Sequence, residues 1–551
     1  MAALHARRRA AGVIGISAAL ALVLAACAET EGPEGGGEAT GGGGADGEGI
    51  TVGTTDVVTS LDPAGSYDSG SFAVQIQVFP FLMDSPYGSP DVEPSIAESA
   101  EFTSPTEYTV TLKEGLTFAN GNELTASDVK FTFDRQLAIN DPNGPAALLA
   151  NLESTEAADD RTVVFTLKSE NDQTFPQVLS SPAGPVVDEE VFSATELTPA
   201  DAIVEGNAFA GPYAITDYAQ NELIQYEAFE DYQGLTAAPE TTSVTAQYFT
   251  EETSLKLAVQ EGDVDVAYRS LSPTDLADLR EDDNVEVYDG PGGEIRYIVF
   301  NFNTQPFGAT TAEPDPAKAA AVRTAAAHLL DREALSQEIY QGTYAPLFSY
   351  VPEGLTGAAE PLRSLYGDGE GGPDPDAAAA VLTDAGVETP VQLNLQYSPD
   401  HYGNSSDEEY AMIESQLEGT GLFDVTLQST LWDTYTNERR EDLYPAYQLG
   451  WFPDFSDADN YLTPFFLAET SFLGNHHSNP EVEQVIRQQS TTADEAERTA
   501  LLEQAQQMLA EDLPTLPYLQ GAQVAVASTD IAGVETTLDP SFKFRYAALG
   551  R

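Results

Sequence analysis

The sequence predicts an α/β protein with at least two lobes. Its 551 residues exceed what a single hydrophobic core usually organises. Apolar residues make up 42% of the chain, with 24 Tyr and 25 Phe, which is ample for packed domains. Strand-like and helix-like patterns alternate from residue 50 onward. Together these observations favour several α/β lobes over one core or a disordered chain.

The N-terminus predicts export. Residues 5–27, HARRRAAGVIGISAALALVLAAC, combine a basic start, an apolar run of about 17 residues and the ending Leu24-Ala25-Ala26-Cys27. The run is short for a membrane-spanning helix, which needs about 20 residues. The pattern is typical of a secretory signal over 1–27, and its end resembles a bacterial lipobox, which implies a lipid on Cys27. An uncleaved membrane anchor is the alternative.

The next segment predicts a tether. Residues 28–49 consist mainly of Gly, Glu and Ala and carry no branched aliphatic or aromatic side chain. Such a stretch cannot form a core and favours a flexible linker. Cys27 is the only cysteine of the chain, which excludes disulfides and Cys-based metal sites.

Strands and helices are then predicted in alternation. Alternating apolar residues predict strands within 108–118 and 161–168, with a helix between them that begins after Thr125 and has Asp128 placed for a capping box. Further helices are predicted over 253–262, 316–330, from Asp331, and over 376–386, 407–419 and 494–512. The segments 264–268 and 518–528 read as strands.

Charge restricts the partners. The chain has 23 Lys+Arg against 90 Asp+Glu, a net charge of −67. Such a field repels nucleic acid and anionic membrane surfaces and favours cationic or zwitterionic ligands. The alternative is a surface adapted for solubility, which needs no particular ligand.

Motifs for catalysis and metal binding are missing from the sequence. It contains no G-x-S-x-G, H-E-x-x-H or phosphate-binding G-x-x-x-x-G-K-[ST] motif, and no dinucleotide-binding G-x-G-x-x-G motif after a strand. His476 and His477 are adjacent and point to different faces of a helix or strand, which disfavours a shared metal ion. We therefore expect no catalytic residue, no metal site and no cofactor, with a secreted hydrolase as the disfavoured alternative.

The segment GWFPDFSDADNY, residues 450–461, carries acids among aromatic rings and no cation. An unpaired carboxylate in such surroundings is costly unless the segment is solvated or a cation arrives with a ligand. The pattern favours an ammonium ligand at one of these acids. Asp457 and Asp459 are expected to shape the following turn and to stay solvated.

Seven segments, in order over about 480 residues, resemble the peptide/nickel (oligopeptide, family 5) solute-binding proteins of ABC importers. They include SLDPA (60–64), the block PSIAESAEFTSPTEYTVTLKEGLTFANGNELTASDVKFTFDR (94–135), GPYAI (211–215), LAVQEGDVDV (257–266), FNFNTQPF (300–307), AVRTAAAHLLDREAL (321–335) and GWFPDFSDADNY. Ala458 replaces the usual proline of the last motif.

The resemblance implies a two-lobed periplasmic-binding-protein-like fold (class II, cluster C type) with an extra inserted α/β domain. It implies a discontinuous first lobe from 50–84, 206–300 and 515–551, an inserted domain over 85–205 and a second lobe over 301–514. A hinge between the lobes is expected to close on the ligand.

The resemblance also implies binding residues. In peptide-binding members the Asp of the Gly-Trp-x-x-Asp motif holds the ligand α-ammonium, and that position is Asp454 here. Backbone is implied to pair with an extended ligand at Gly450, Trp451 and Phe452, and at Tyr67, Asp68 and Ser69.

A second set of residues is implied by the segment LWDTYTNER. Trp432 is expected to be a wall of the pocket, with plain core packing as the alternative, and Arg439 a charge partner. Some peptide binders carry Arg where Gln448 stands. This leaves Arg296, Arg439 or Arg440 as candidates to neutralise a ligand carboxylate.

The implied function is a monomeric receptor that is held by its lipid to the outer face of the bacterial cytoplasmic membrane. It would capture short peptides in extended conformation and deliver them to an ABC permease, with ATP hydrolysis on a separate subunit. The same fold could instead bind a metal chelate, an opine or an oligosaccharide, because the fold motifs do not encode the ligand.

Overall fold

The computed structural model describes residues 49–403, 405–469 and 471–551. The predicted signal, Cys27 and nearly all of the predicted tether lie outside these residues. Within the described chain the strands form two large sheets, one four-stranded sheet and a two-stranded ladder, with helices packed against them.

The first sheet has mixed strand directions and is built from distant parts of the described chain. Its central strand, Ile50–Thr54, runs parallel to Ser243–Tyr248 and to Val266–Tyr268. In spatial order the strands are Val285–Gly290, Gln523–Ser528, Val266–Tyr268, Ile50–Thr54, Ser243–Tyr248, Leu223–Ala228 and Tyr213–Ala219.

The second sheet has its own hydrophobic core. Ala446–Trp451 lies antiparallel to Ile295–Phe300 and parallel to Val391–Tyr397. In spatial order the strands are Tyr344–Pro346, Thr515–Gly521, Ile295–Phe300, Ala446–Trp451, Val391–Tyr397 and Phe423–Ser429.

A smaller antiparallel sheet, here called the insert sheet, lies within the predicted inserted domain. Its strands, in spatial order, are Ala97–Ser104, Glu107–Leu112, Thr162–Leu167 and Leu152–Ala157. A short ladder pairs Met83–Asp84 with Glu93–Pro94. The insert sheet buries one face in a separate apolar cluster that includes Val110, Phe133 and Phe165. The boundaries 85–205 remain a prediction.

The helices follow the predicted cap residues. Thr125 and Asp128 form the predicted capping box, and Gly262 ends its helix in the left-handed conformation. The α-helices of the described chain are Ser69–Val78, Ala126–Ile139, Phe175–Val178, Ala200–Glu205, Glu252–Glu261, Pro273–Leu279, Pro316–Leu329, Arg332–Ala334, Pro361–Leu365, Pro375–Asp384, Ser406–Glu418, Trp432–Glu438, Thr463–Phe466, Pro480–Gln489, Glu495–Asp512 and Val534–Thr537. Leu335–Ile339 is a π-helical segment, and short 3₁₀ turns span Pro63–Gly65, Pro145–Leu149, Arg439–Glu441, Ala458–Tyr461 and Tyr546–Ala548.

The strands Ile295–Phe300 and Thr515–Gly521 correct the predicted lobe boundaries. The sequence predicts both strands in the first lobe, but they pair with each other in the second sheet. The sequence 518–528 reads as one strand, whereas the structure divides it at Ala522 between the two sheets. We propose that the chain changes lobes at 291–294 and at Ala522.

The two segments at which the chain is proposed to change lobes, 291–294 and Ala522, are here called the crossings, and they lie side by side. The Gly521 N–H donates to the Glu294 carbonyl at 2.9 Å, and the Gln520 side-chain amide donates to the Gly292 carbonyl at 2.8 Å. A Cβ added at Gly292 would lie 1.3 Å from the Gly521 carbonyl oxygen. The close approach of the two segments therefore requires glycine at position 292.

Gly292→Ala is expected to lower the free energy of unfolding by about 2 kcal/mol or more, because the methyl group must push the two crossings apart. Chemical denaturation followed by circular dichroism measures this loss. Gly550→Ala is the matched control, since its Cβ would have only one neighbour, at 4.0 Å. Equal stabilities of the two variants would contradict the expected clash.

The inserted domain is tied to the first lobe by a buried ion pair. Arg135, on the helix Ala126–Ile139, donates through Nη1 and Nη2 to the two carboxylate oxygens of Asp62 at 2.9 and 2.8 Å. Asp62 also accepts the N–H groups of Ala64 and Thr198. Both charged side chains are almost fully buried. The Leu-Asp-Pro turn of the sequence thus anchors the insert.

Candidate functional site

A cavity of about 920 Å³ lies where the first sheet, the insert and the second sheet meet. Its size falls within the usual range of small-ligand pockets. The structure places nine of the ten predicted ligand-binding residues on its wall, and these are Tyr67, Asp68, Ser69, Arg296, Trp432, Gly450, Trp451, Phe452 and Asp454. Arg439 is not among the lining residues. The roles of these residues in binding remain predictions.

Asp454 has only neutral hydrogen-bond partners among the described residues. Its Oδ1 accepts the Tyr67 hydroxyl, and its Oδ2 accepts the Asn460 side-chain amide at 3.2 Å. The Asn460 Oδ1 in turn accepts the Asp454 N–H at 2.9 Å and the Trp451 indole N–H at 2.8 Å. Asn460 is buried and so fixes both the carboxylate and the indole ring.

Burial raises the pKa of Asp454 above the usual aspartate value, although the hydrogen bonds from Tyr67 and Asn460 oppose this shift. A carboxylate in this position carries a desolvation cost that no cation of the described chain offsets, because Asp454 forms no ion pair there. The site is therefore suited to a cation that a ligand supplies.

The backbone predicted to pair with a ligand strand is only partly accessible. The Gly450 carbonyl accepts the Tyr297 hydroxyl at 3.3 Å. A Cβ at Gly450 would lie 2.9 Å from the Tyr402 ring, so this ring covers the glycine closely. Phe452, by contrast, is 45% exposed. The exposed residue of this predicted segment is thus Phe452, which follows the strand Ala446–Trp451.

Trp432 forms an aromatic part of the cavity wall. It stacks on His401 with ring centroids 3.6 Å apart and meets the edge of Tyr402 at 5.6 Å. The chain has two tryptophans, and both of them line the cavity. Trp432 is partly exposed and also packs against the core of the second sheet, so its role as a wall for the ligand stays a prediction.

Arg296 lines the cavity but its donors are already used. It donates to Glu294 at 3.2 Å and to Glu409 at 2.9 Å. It also contacts the hydroxyls of Tyr340 and Tyr344 and the Tyr402 carbonyl. Because two carboxylates share this guanidinium, it has little capacity for a ligand carboxylate.

Arg439 corrects the prediction of a charge partner for the ligand. It is fully buried and donates to the carbonyls of Phe472 and Leu473 at 2.9 and 3.0 Å. Its guanidinium also lies 4.7 Å from the centroid of the Phe472 ring, and Phe472 lines the cavity. Arg439 therefore supports the wall from behind instead of reaching the ligand space.

Sequence reasoning missed four charged residues of the cavity wall, namely Asp56, Arg269, Glu294 and Lys543. Asp56 and Arg269 form an ion pair, and Lys543 donates to Asp84 and Ser180, each at 2.6 Å. The positions of Asp56 and Arg269 relative to the strands could have indicated their role. They follow the parallel strands Ile50–Thr54 and Val266–Tyr268, and ligands of α/β proteins bind outside the carboxyl ends of such strands.

The comparisons with known proteins agree with this architecture. The model of the bacterial extracellular solute-binding proteins, family 5, matches residues 91–472. The chain belongs to this family. It is 26% identical over 491 residues to the heme-binding protein A of Haemophilus influenzae, covering 83% of this chain and 84% of that protein.

Two further relatives extend the similarity. The dipeptide-binding protein of Escherichia coli is 23% identical over 475 residues, which cover 82% of this chain and 84% of the relative. The structure of HbpA2 from Haemophilus parasuis has a TM-score of 0.76 at 20% identity and covers 91% of this chain and 99% of its own. The two-lobed fold expected from the sequence is confirmed.

Family 5 proteins are extracytoplasmic transport receptors that work with ABC permease and ATPase subunits. In this family 5 protein, none of the helices within 49–403, 405–469 and 471–551 combines the length and apolar character of a membrane span. Over the same residues, no cluster of three or more His, Cys, Asp or Glu side chains is placed to hold a metal ion.

Asp457 and Asp459 of this family 5 protein are not solvated as predicted. They are 9% and 5% exposed. Asp457 accepts both Nη groups of Arg498 at 2.7 and 2.8 Å. The sequence prediction failed because Arg498 lies 41 residues away, on the helix Glu495–Asp512. Asp459 accepts Thr463 and Gln489 instead of a cation.

Asp459 predicts a pH-dependent stability. Burial, and next the neighbouring Asp457 charge, raise the pKa of Asp459 from its ordinary value of 3.8 to about 7. The folded protein therefore holds this proton where the unfolded chain has lost it. Its stabilising contribution is complete below the unfolded pKa and is lost as the pH rises through 7, with a total on the order of 4 kcal/mol.

Asp459→Asn removes this titration, so its free energy of unfolding should exceed that of wild type above pH 7 and lack the decline with rising pH. Denaturation curves at several pH values measure the difference. Asp289→Asn, at a partly exposed side chain paired with Arg280, is the control and should keep the wild-type decline. A decline retained by Asp459→Asn would contradict the assignment.

Proposed function

We propose that this protein is a lipid-anchored receptor for short peptides, which binds the peptide α-ammonium at Asp454 and delivers the peptide to an ABC importer. The observation that carries the proposal is the Asp454 carboxylate, which lies in an aromatic cavity and has only neutral partners among the described residues. The dipeptide-binding relative supports a peptide as the ligand.

The hydrogen bond from Tyr67 occupies the Asp454 carboxylate oxygen before a ligand binds. Tyr67 precedes the helix Ser69–Val78 of the first lobe, whereas Asp454 follows a strand of the second sheet. Their hydrogen bond therefore spans the cavity. A ligand ammonium competes for the same carboxylate oxygen, and its charge-assisted hydrogen bond is stronger than one from a neutral phenol.

Binding is expected to depend on pH through Asp454. Only the ionised carboxylate attracts an ammonium, and burial raises the pKa of this group above that of an exposed aspartate. Affinity for a free-amine peptide should therefore fall as the pH drops through this raised pKa, and the fall should be absent in Asp454→Asn. Titrations between neutral and acidic pH measure it, with an N-acetylated peptide as the control ligand.

The experiment that tests the proposal combines two measurements. Mass spectrometry of small molecules released from native protein identifies the ligand class, and titration with a tripeptide mixture measures binding. Trp432 and Trp451 provide a fluorescence signal, because both line the cavity. Peptides among the released molecules and a saturable signal support the proposal. Released molecules without a peptide, together with no response to the mixture, would overturn it.

The proposal also covers three further properties of the protein. These are a lipid anchor, a monomeric state and no chemical turnover of the bound peptide. Lipid on Cys27 would keep a monomeric receptor beside its transporter, and closure of the lobes would report occupancy to the permease. Cys27→Ala should move the protein from the membrane fraction to the soluble fraction of expressing cells. Peptide recovered intact after long incubation supports a receptor over a hydrolase.

A further inference from the structure

Arg269 is a cavity cation with unused donors. It follows the first-sheet strand Val266–Tyr268, and its Nη2 donates to Asp56. Its Nε is buried without a hydrogen-bond partner among the described residues, and its Nη1 makes no hydrogen bond with them either. The side chain is 22% exposed, so part of the guanidinium faces the cavity.

The other cavity cations are more fully occupied. Arg296 has five polar contacts, including two carboxylates, and its side chain is 4% exposed. Lys543 binds Asp84 and Ser180 and is 7% exposed. Arg269 therefore has more free hydrogen-bonding capacity and more exposure than either of them.

The backbone that carries Arg269 is strained. Arg269 and Ser270 have φ values of 57° and 67°, a left-handed conformation that side-chain-bearing residues rarely adopt. Two hydrogen bonds hold it, from the Arg269 N–H to the Val524 carbonyl at 3.0 Å and from the Thr55 N–H to the Ser270 hydroxyl at 3.1 Å. Strain of this kind is concentrated at ligand-binding sites, where the surrounding structure maintains it.

Packing against an aromatic ring also fixes the orientation of the Arg269 guanidinium. It lies 5.2 Å from the centroid of the Tyr268 ring, and this ring stacks on Phe544 at 4.0 Å. The side chain is thus oriented before a ligand arrives. A guanidinium N–H that makes no other hydrogen bond, here at Nη1, can donate a charge-assisted hydrogen bond to a carboxylate.

We propose that Arg269 binds a carboxylate of the ligand, so that the receptor selects zwitterionic peptides with a free C-terminus. This inference rests on the proposed peptide function. Asp56 competes for the same guanidinium and therefore limits the affinity for the ligand carboxylate. Arg269 would bind the ligand carboxylate and Asp454 the ligand ammonium. Arg269 is therefore the residue that determines selectivity for a free C-terminus.

The test compares a tripeptide mixture with the same mixture as C-terminal amides, by titration and by mass spectrometry of the retained peptides. Wild type should retain the acids at least 10-fold more tightly than the amides. Arg269→Gln should lose at least 10-fold for the acids and be unchanged for the amides. Asp56→Asn should bind the acids several-fold more tightly, a result that a merely structural ion pair does not predict.

Arg280→Gln is the matched control, since Arg280 forms a surface ion pair with Asp289 in the same lobe. Should Arg269→Gln fail to fold, the acid-over-amide ratio of wild type and the direction of the Asp56→Asn effect decide the matter. Equal retention of acids and amides by wild type overturns this inference alone. Retention of neither mixture overturns the proposed function and this inference with it.

Discussion

Asp454→Asn is expected to weaken the binding of a peptide with a free α-amino group by about 100-fold. Removing one partner of a buried charge pair costs roughly 2–5 kcal/mol, because the other charge stays desolvated and unpaired, and every 1.4 kcal/mol is about tenfold in affinity. The asparagine side chain has nearly the same shape and can still hydrogen-bond to Tyr67 and Asn460. Calorimetric titration of wild type and variant measures the loss.

Asp315→Asn is the matched control for this prediction. Asp315 does not line the cavity, and its carboxylate caps the helix Pro316–Leu329 by accepting the Ala317 N–H at 3.0 Å. Asparagine is an equally good helix cap, so this change should leave affinity within a few-fold of wild type. An N-acetylated peptide should bind both variants alike. Undiminished binding of the free-amine peptide by Asp454→Asn would show that another group holds the ammonium.

Arg135→Met is expected to lower the free energy of unfolding by about 3–5 kcal/mol. The substitution keeps a long apolar side chain but leaves the Asp62 carboxylate buried without its cation. Because Asp62 belongs to the first lobe and Arg135 to the inserted helix, the loss should appear first as detachment of the insert. Denaturant titration followed by circular dichroism and limited proteolysis measures both effects.

Arg161→Met provides the comparison. Arg161 lies in the insert sheet region and pairs with Glu98 and Glu114, but its side chain is 35% exposed. Solvent screens such pairs, so this change should cost at most about 1 kcal/mol. The double variant Asp62→Asn with Arg135→Met should recover part of the lost stability. A similar loss in Arg135→Met and Arg161→Met would mean that the buried pair has no special role.

Local features were predictable from the sequence because they depend on neighbouring residues. The capping box of Thr125 and Asp128 is one example, and the helix end at Gly262 is another. The division of 518–528 at Ala522 was not predictable, because both halves have the same apolar character and only the partner strands differ. Periodicity thus locates a strand without saying which sheet it joins.

The sequence predicted which segments line the cavity. It did not predict which of their charged side chains are already paired or buried. The resemblance located Asp454 and Trp432, which line the cavity. It could not show that Arg439 is buried behind Phe472, or that Arg296 is shared by Glu294 and Glu409. Glu409 comes from the helix Ser406–Glu418, far from Arg296 along the chain. Charge pairing between distant elements is set by tertiary packing, which a single sequence does not display.

The close contact of Gly292 with Gly521 has a consequence for how such receptors diversify. Neither glycine lines the cavity, although Glu294 of the same crossing does, so the close contact itself is separate from the side chains that face a ligand. Mutations that alter ligand choice can accumulate at the cavity wall while the joint between the lobes is inherited unchanged. One architecture can in this way accommodate different ligands while the close contact of Gly292 with Gly521 is kept.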